Sequence, residues 1–184
     1  MHQEKNFVKG TSTYAVAGDF CRVFLEEMNR LYLLSFLLTG DHRKAEQCFV
    51  SGLENCVEAN QVFRDWVRSW TRRAIIQNAI RIMQPAREQT KQSSMRRSET
   101  GNLAVTESEA PFAAVLGLNP FERFVFVLSV LERYSDQDCR LLLECSRQEV
   151  VRARSRAVEH IARFGVTPPL PATPSAGEAF AQAG

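Results

Sequence analysis

Apolar residues recur at intervals of three and four along most of the chain, and no stretch alternates convincingly as a half-buried strand would. That pattern predicts an all-α fold. The first stripe includes Phe20, Phe24, Met28, Leu31, Leu34 and Leu38, with Asp19 as its cap and Gly40 as its stop. Asp41 opens a second helix that runs to about Glu58 and turns Ala45, Cys48, Phe49, Gly52, Leu53 and Cys56 inward. A third spans about Val62 to Met83 and buries Phe63, Trp66, Val67, Trp70 and Ala74, while Pro85 blocks its extension. Arg64, Arg68 and Arg72 fall four apart on one side of it.

The periodicity then stops. PAREQTKQSSMRRSETGNLAVTESE is polar, rich in Ser and Thr and nearly free of aliphatics, which is the composition of a flexible linker. The chain therefore divides into a helical domain over 1–84, a linker over 85–111 and a second helical domain over 112–165. The Pro/Ala-rich stretch 166–184 is expected to be disordered.

Three helix starts punctuate the second half. Asn119-Pro120-Phe121-Glu122 has a cap, a proline at the first helical position and a glutamate at the third. Ser135-Asp136-Gln137-Asp138 and Ser146-Arg147-Gln148-Glu149 repeat the box-like arrangement. A helix of about two turns, a tight turn and a longer helix ending at Gly165 make a helix-turn-helix. At about 100° per residue, Val150, Ala153, Ala157, Ile161 and Phe164 share one face of that last helix. Gln148, Arg152, Ser155, Arg156, Glu159 and Arg163 lie opposite, and Arg147 and Arg154 fall on the flank.

Net charge is only +2, but its distribution is uneven. Residues 61–100 and 140–164 are basic, and an acidic stretch separates them. Two basic blocks suit two polyanion-facing surfaces. In a helix-turn-helix the first turns of the second helix enter the major groove, so Ser146, Gln148, Arg152 and Ser155 are the candidates for base contact. Arg pairs with guanine and Gln with adenine, while Arg147, Arg156 and Arg163 are placed to hold phosphates.

The five cysteines are odd in number and show no CxxC, and the three histidines are scattered, so no zinc spacing emerges. They read as small reduced hydrophobes on helix faces. The start MHQEKNFVKG has no apolar core, and the runs around Leu31–Leu38 and Phe124–Leu131 are too short to span a bilayer. A cytoplasmic protein with no membrane partner is expected. Neither a catalytic arrangement nor a Gly-rich phosphate loop is visible, so no enzyme and no cofactor is expected.

The phrases LYLLSFLLTGDHRKAEQCF, VFRDWVRSWTRRAIIQNAIR and LNPFERFVFVLSVLERYSDQDCRLLLECSRQEVVRARSRA resemble a bacterial RNA polymerase sigma factor of the small, two-domain extracytoplasmic-function group. The likeness covers about residues 28–81 and 118–162, in the family's order. It implies a subunit that performs no chemistry but guides RNA polymerase core to promoter DNA in transcription initiation. The first domain would bind core and the melted minus-ten element, and the second would read the minus-thirty-five element. By position, Glu46 and Gln47 would dock on the polymerase clamp, Arg72, Arg73 and Asn78 would sit on the helix that approaches promoter DNA, and Gln148, Glu149, Arg152 and Arg156 on the reading helix. An anti-sigma factor is a further candidate partner. Gln47, Val50, Ser51 and Glu144 depart from the family's usual residues. A second reading therefore stays open: a diverged sigma-like DNA-binding regulator, or an adaptor without full sigma activity.

Overall fold

The computed structural model describes residues 13–59, 61–85 and 110–165. These form an all-α fold, and among them the only extended pairing is an isolated antiparallel bridge between Tyr14 and Phe63. Most of the expected linker and all of the expected tail lie outside the described residues.

Two helices, α1 (Ala17–Glu26) and α2 (Met28–Thr39), occupy the stretch where the periodicity predicts one. The break falls at Glu27, whose carboxylate turns inward to accept from Arg68 and Arg72. The change of direction takes Met28 out of the stripe and leaves it half exposed, while Phe20, Phe24, Leu31, Leu34 and Leu38 stay buried. Asp19 is not the cap of α1 but its third residue, where it accepts the Val16 backbone N–H at 3.1 Å and satisfies one of the helix's orphan donors. Gly40 ends α2 with φ +67°. A Cβ there would lie 2.8 Å from Nη1 of Arg123, so both the left-handed backbone and the space require glycine.

Helix α3 (His42–Val57) starts as its sequence predicts, with Asp41 accepting the Lys44 N–H at 2.9 Å. After a 3-10 turn at Arg64–Trp66 comes α4 (Val67–Met83). Its buried face is Val67, Thr71, Ala74, Ile75, Asn78 and Ala79. Phe63, Trp66 and Trp70, expected inside, are outside, the two indoles 60% and 42% exposed. Val67 and Ala74 are buried as expected, but the centre of the buried face lies toward Thr71, Ile75 and Asn78 rather than Trp66 and Trp70, a partial rotation of the face. Ala45 and Gly52 on α3 and Ala74 and Ala79 on α4 are small and buried where the two helices pack together.

The second group contains α5 (Ala110–Leu116), α6 (Pro120–Phe126), a π turn (Val127–Leu131), α7 (Asp136–Leu142) and α8 (Arg147–Gly165). Asn119 caps α6 by accepting from Phe121 N–H at 3.0 Å and Glu122 N–H at 3.4 Å. Helix α5, which the sequence pattern does not announce, begins within the range assigned to the linker. The π turn is marked by the Glu132 N–H reaching back five residues to the Val127 carbonyl at 2.9 Å. Phe124, Val125, Val127, Leu128, Val150 and Ala157 are fully buried together.

The two groups meet where α2 lies against α5 and α6. Arg123 is buried there, donating to the Thr39 carbonyl at 3.2 Å and to the Leu116 carbonyl at 3.3 Å. No helix among the described residues is long and apolar enough to cross a membrane. All five cysteines are free; Cys48, Cys56, Cys139 and Cys145 are buried, whereas Cys21 is exposed, one position off the α1 stripe. Burial pushes the Cys48, Cys56 and Cys139 thiols up to about 11, which keeps them protonated and unreactive.

Candidate nucleic-acid interface

Helix α7, a turn over 143–146 and helix α8 carry the residues that the sequence singles out for DNA. Ser135 opens α7 with a capping box closed by Asp138. Ser146 opens α8 the same way: its hydroxyl accepts from Glu149 N–H at 3.2 Å, and Glu149 accepts the Ser146 N–H at 2.7 Å. Between them Leu143 and Cys145 point into the core, and Glu144 takes a left-handed φ of +50° that closes the turn.

The faces of α8 separate as the spacing predicts. Val150, Ala153 and Ala157 are buried and Ile161 half-buried, while the Phe164 side chain lies outside the described residues. Gln148, Arg152, Ser155, Arg156, Glu159 and Arg163 are all exposed. Their ion pairs differ, and that difference sorts them. Arg147 lies 3.7 Å from Asp136, Arg156 lies 3.6 Å from Glu122, and Arg163 lies 4.0 Å from Glu159. Arg152 has no acid within salt-bridge distance among the described residues, so it meets a partner without first giving up an internal contact. Ser146 is exposed but already serves as the cap.

Asp136 ties α7 to α8. It accepts from Arg154, which the sequence places on the flank, and lies near Arg147. The Arg154 hydrogen bond, opposed in part by burial, holds its carboxyl below the ordinary 3.8. A depressed folded-state value means that this contribution is present above about pH 3.8 and is lost as pH falls through the folded value. Asp136→Asn should therefore lower stability in chemical denaturation at pH 7, and its deficit relative to wild type should shrink below pH 3.8. An equal deficit at both ends would show that the ionic contact contributes nothing.

The first group's candidates are differently placed. Glu46 and Gln47 are exposed on the first turns of α3. Asn78 faces the core, donating to the Ala74 carbonyl at 2.9 Å and accepting from Asn55 at 3.3 Å, so it does not present to DNA. Arg73 is exposed with no ion pair among the described residues. Arg72 is engaged, in contrast to a sequence that shows only Asp65 near it: Glu27 lies 3.3 Å away and Glu132 3.7 Å away. Arg64 likewise meets Asp19 at 3.3 Å, and Arg68 bonds both Glu26 and Glu27. The basic row along α4 is thus largely neutralised from within.

The same rotation of α4 leaves an aromatic surface that the sequence pattern assigns to the core. Tyr14 stacks on Phe63 with ring centroids 5.1 Å apart, and Trp66 meets Phe63 edge-on at 5.3 Å. Arg64, Arg68 and Arg72 stand two positions from the tryptophans, nearly opposite on a helix, so the spacing carries no signal that the indoles face outward. No family model, curated protein or solved structure matches this chain.

Proposed function

We propose that the protein binds duplex DNA through α8 and acts as a sigma-like transcription factor, directing RNA polymerase core to promoters without performing chemistry itself. The observation that carries this reading is the exposed α8 face, where Gln148, Arg152 and Ser155 follow a capped turn and Arg152 has no internal acid. Gln148, Arg152 and Ser155 are the base-reading set; Arg147, Arg156 and Arg163 stand to the phosphates. Arg152→Ala should cost about 1–3 kcal/mol and relax preference at one base pair, whereas Arg163→Ala should weaken all sequences alike. Equal, sequence-independent losses for both would remove Arg152 from base reading. Promoter-dependent transcription with purified core tests the polymerase half of the proposal, which rests on Glu46, Gln47 and the sequence resemblance.

One observation favours the second reading, a sigma-like DNA-binding regulator or adaptor without full sigma activity. Asn78 is buried and Arg72 is held by two carboxylates, so the α4 surface offers Arg73 alone of the three residues assigned to it. Failure to bind core polymerase while retaining sequence-selective DNA binding would decide for that reading.

A further inference from the structure

The aromatic surface of the first group is built on a backbone pairing. The Ala15 N–H donates to the Val62 carbonyl at 2.7 Å and the Arg64 N–H to the Thr13 carbonyl at 3.1 Å, so residues 13–15 lie antiparallel to 62–64. That pairing sets Tyr14 on Phe63 and leaves Thr13 beside Arg64, two residues before Trp66. Trp70 follows Trp66 by four positions, about one helical turn, and both indoles are exposed. Trp70 makes no ring contact among the described residues. Asp65, next to Trp66, is exposed and has no ion pair among the described residues. Four neighbouring aromatic rings open to water make a contiguous patch, unlike the scattered apolar residues of an ordinary surface.

We propose that this patch is the seat of the chain's own residues 1–12, an arm whose Phe7 and Val8 lie across Trp66 and Trp70. Position is the first argument. The arm joins the fold at Thr13, whose carbonyl is bonded to Arg64, so it leaves the pairing alongside the 3-10 turn that carries Trp66. Phe7 stands six residues before Thr13, a reach of up to about 20 Å, while the two indoles stand only about 6 Å apart along the helix. Composition is the second argument. MHQEKNFVKGTS is polar apart from Met1 and the adjacent pair Phe7-Val8. Lys5 and Lys9 bracket that pair, and their charge complements Asp65. The arm thus carries an apolar anchor between two cations, and the fold offers an apolar face beside an acid. Covering the indoles removes apolar surface from water and adds ring contacts. The tether at Thr13 makes the encounter intramolecular, so a weak contact suffices where a separate peptide would dissociate. A covered face is also closed to a second copy of the chain.

No residue of α8 enters this inference, so it stands or falls apart from the DNA-binding reading. Trp66 and Trp70 are the chain's two tryptophans, so quenching of its intrinsic fluorescence by acrylamide, a neutral quencher, reads this face directly. The full-length wild type is compared with the double variant Phe7→Ser, Val8→Ser. Both positions precede every helix of the fold, so circular dichroism melts of the two proteins should coincide. Quenching should be about twofold stronger in the double variant, because an indole covered on one side is open to collision only on the other. The protection in wild type should not change as the protein is diluted. Equal quenching of the two proteins overturns the inference; if both are protected relative to a free indole, the occupant is another segment, such as the proline-rich 166–184. Protection that fades on dilution assigns the face to a second copy and overturns it as well.

Discussion

Phe124→Ala should lower the stability of the second helical group by about 3–5 kcal/mol, the range for truncating a buried aromatic ring. Phe124 is fully buried in α6, in the same core cluster as Val125, Leu128, Val150 and Ala157. The same substitution tests the domain organisation. Most of the first group's packing runs among α2, α3 and α4, and contacts across the boundary are few by comparison. Thermal unfolding followed by calorimetry should show a transition that moves sharply down and another that stays near its wild-type position. A single transition shifting as a whole would mean that the two groups unfold as one unit, and that the shared apolar boundary on α2 contributes more than its extent suggests.

Gly52→Ala should destabilise the first group by about 1–3 kcal/mol, even though alanine is the better helix former by about 1 kcal/mol. The added methyl would come 2.6 Å from Cδ1 of Ile75, which is itself fully buried, so that side chain must shift to admit it. The next atom of that side chain, Cγ1, is 3.5 Å away, an ordinary contact. Deleting Cδ1 alone therefore removes the clash. Ile75→Val should cost about 0.5–1.5 kcal/mol by itself. The double variant should be more stable than the sum of the singles predicts, a coupling of the kind expected for touching residues. Additive losses in urea denaturation would mean that α3 and α4 move apart to admit the methyl, and that the close crossing is not fixed by these two side chains.

How much of this was readable in the sequence depended on the range of the interaction. Caps are local: Asp41, Asn119, Ser135 and Ser146 each bond within three residues, and each helix start they mark was legible. The two faces of α8 were legible for the same reason, because one periodic stripe decides them. The break at Glu27 was not. It involves neither glycine nor proline, and is held by Arg68 and Arg72, 41 and 45 residues away. The face of α4 departs from the pattern because tryptophans outweigh threonine and asparagine in any hydropathy count. Thr71 and Asn78 are nevertheless buried, beside Ile75 and Ile76. On α8 the buried and exposed residues over 147–163 follow the spacing. The internal neutralisation of Arg72 was not legible, because Glu27 and Glu132 come from parts of the chain that no spacing rule connects.

The π turn at Val127–Leu131 has a consequence for how this chain can change over generations. A π turn accommodates one residue more than an α-helix over about the same rise and rotation, so the extra residue is absorbed within the turn. Loss of a single codon, that of Ser129 for instance, would restore regular winding and leave Glu132 at nearly the angle it has now. Ser129 lies at the half-buried edge, its hydroxyl bonding the Val125 carbonyl, so the deletion would spare the fully buried side chains on either side. The length of this segment is thus free to change by one residue over generations while the pairing of Glu132 with Arg72 is kept.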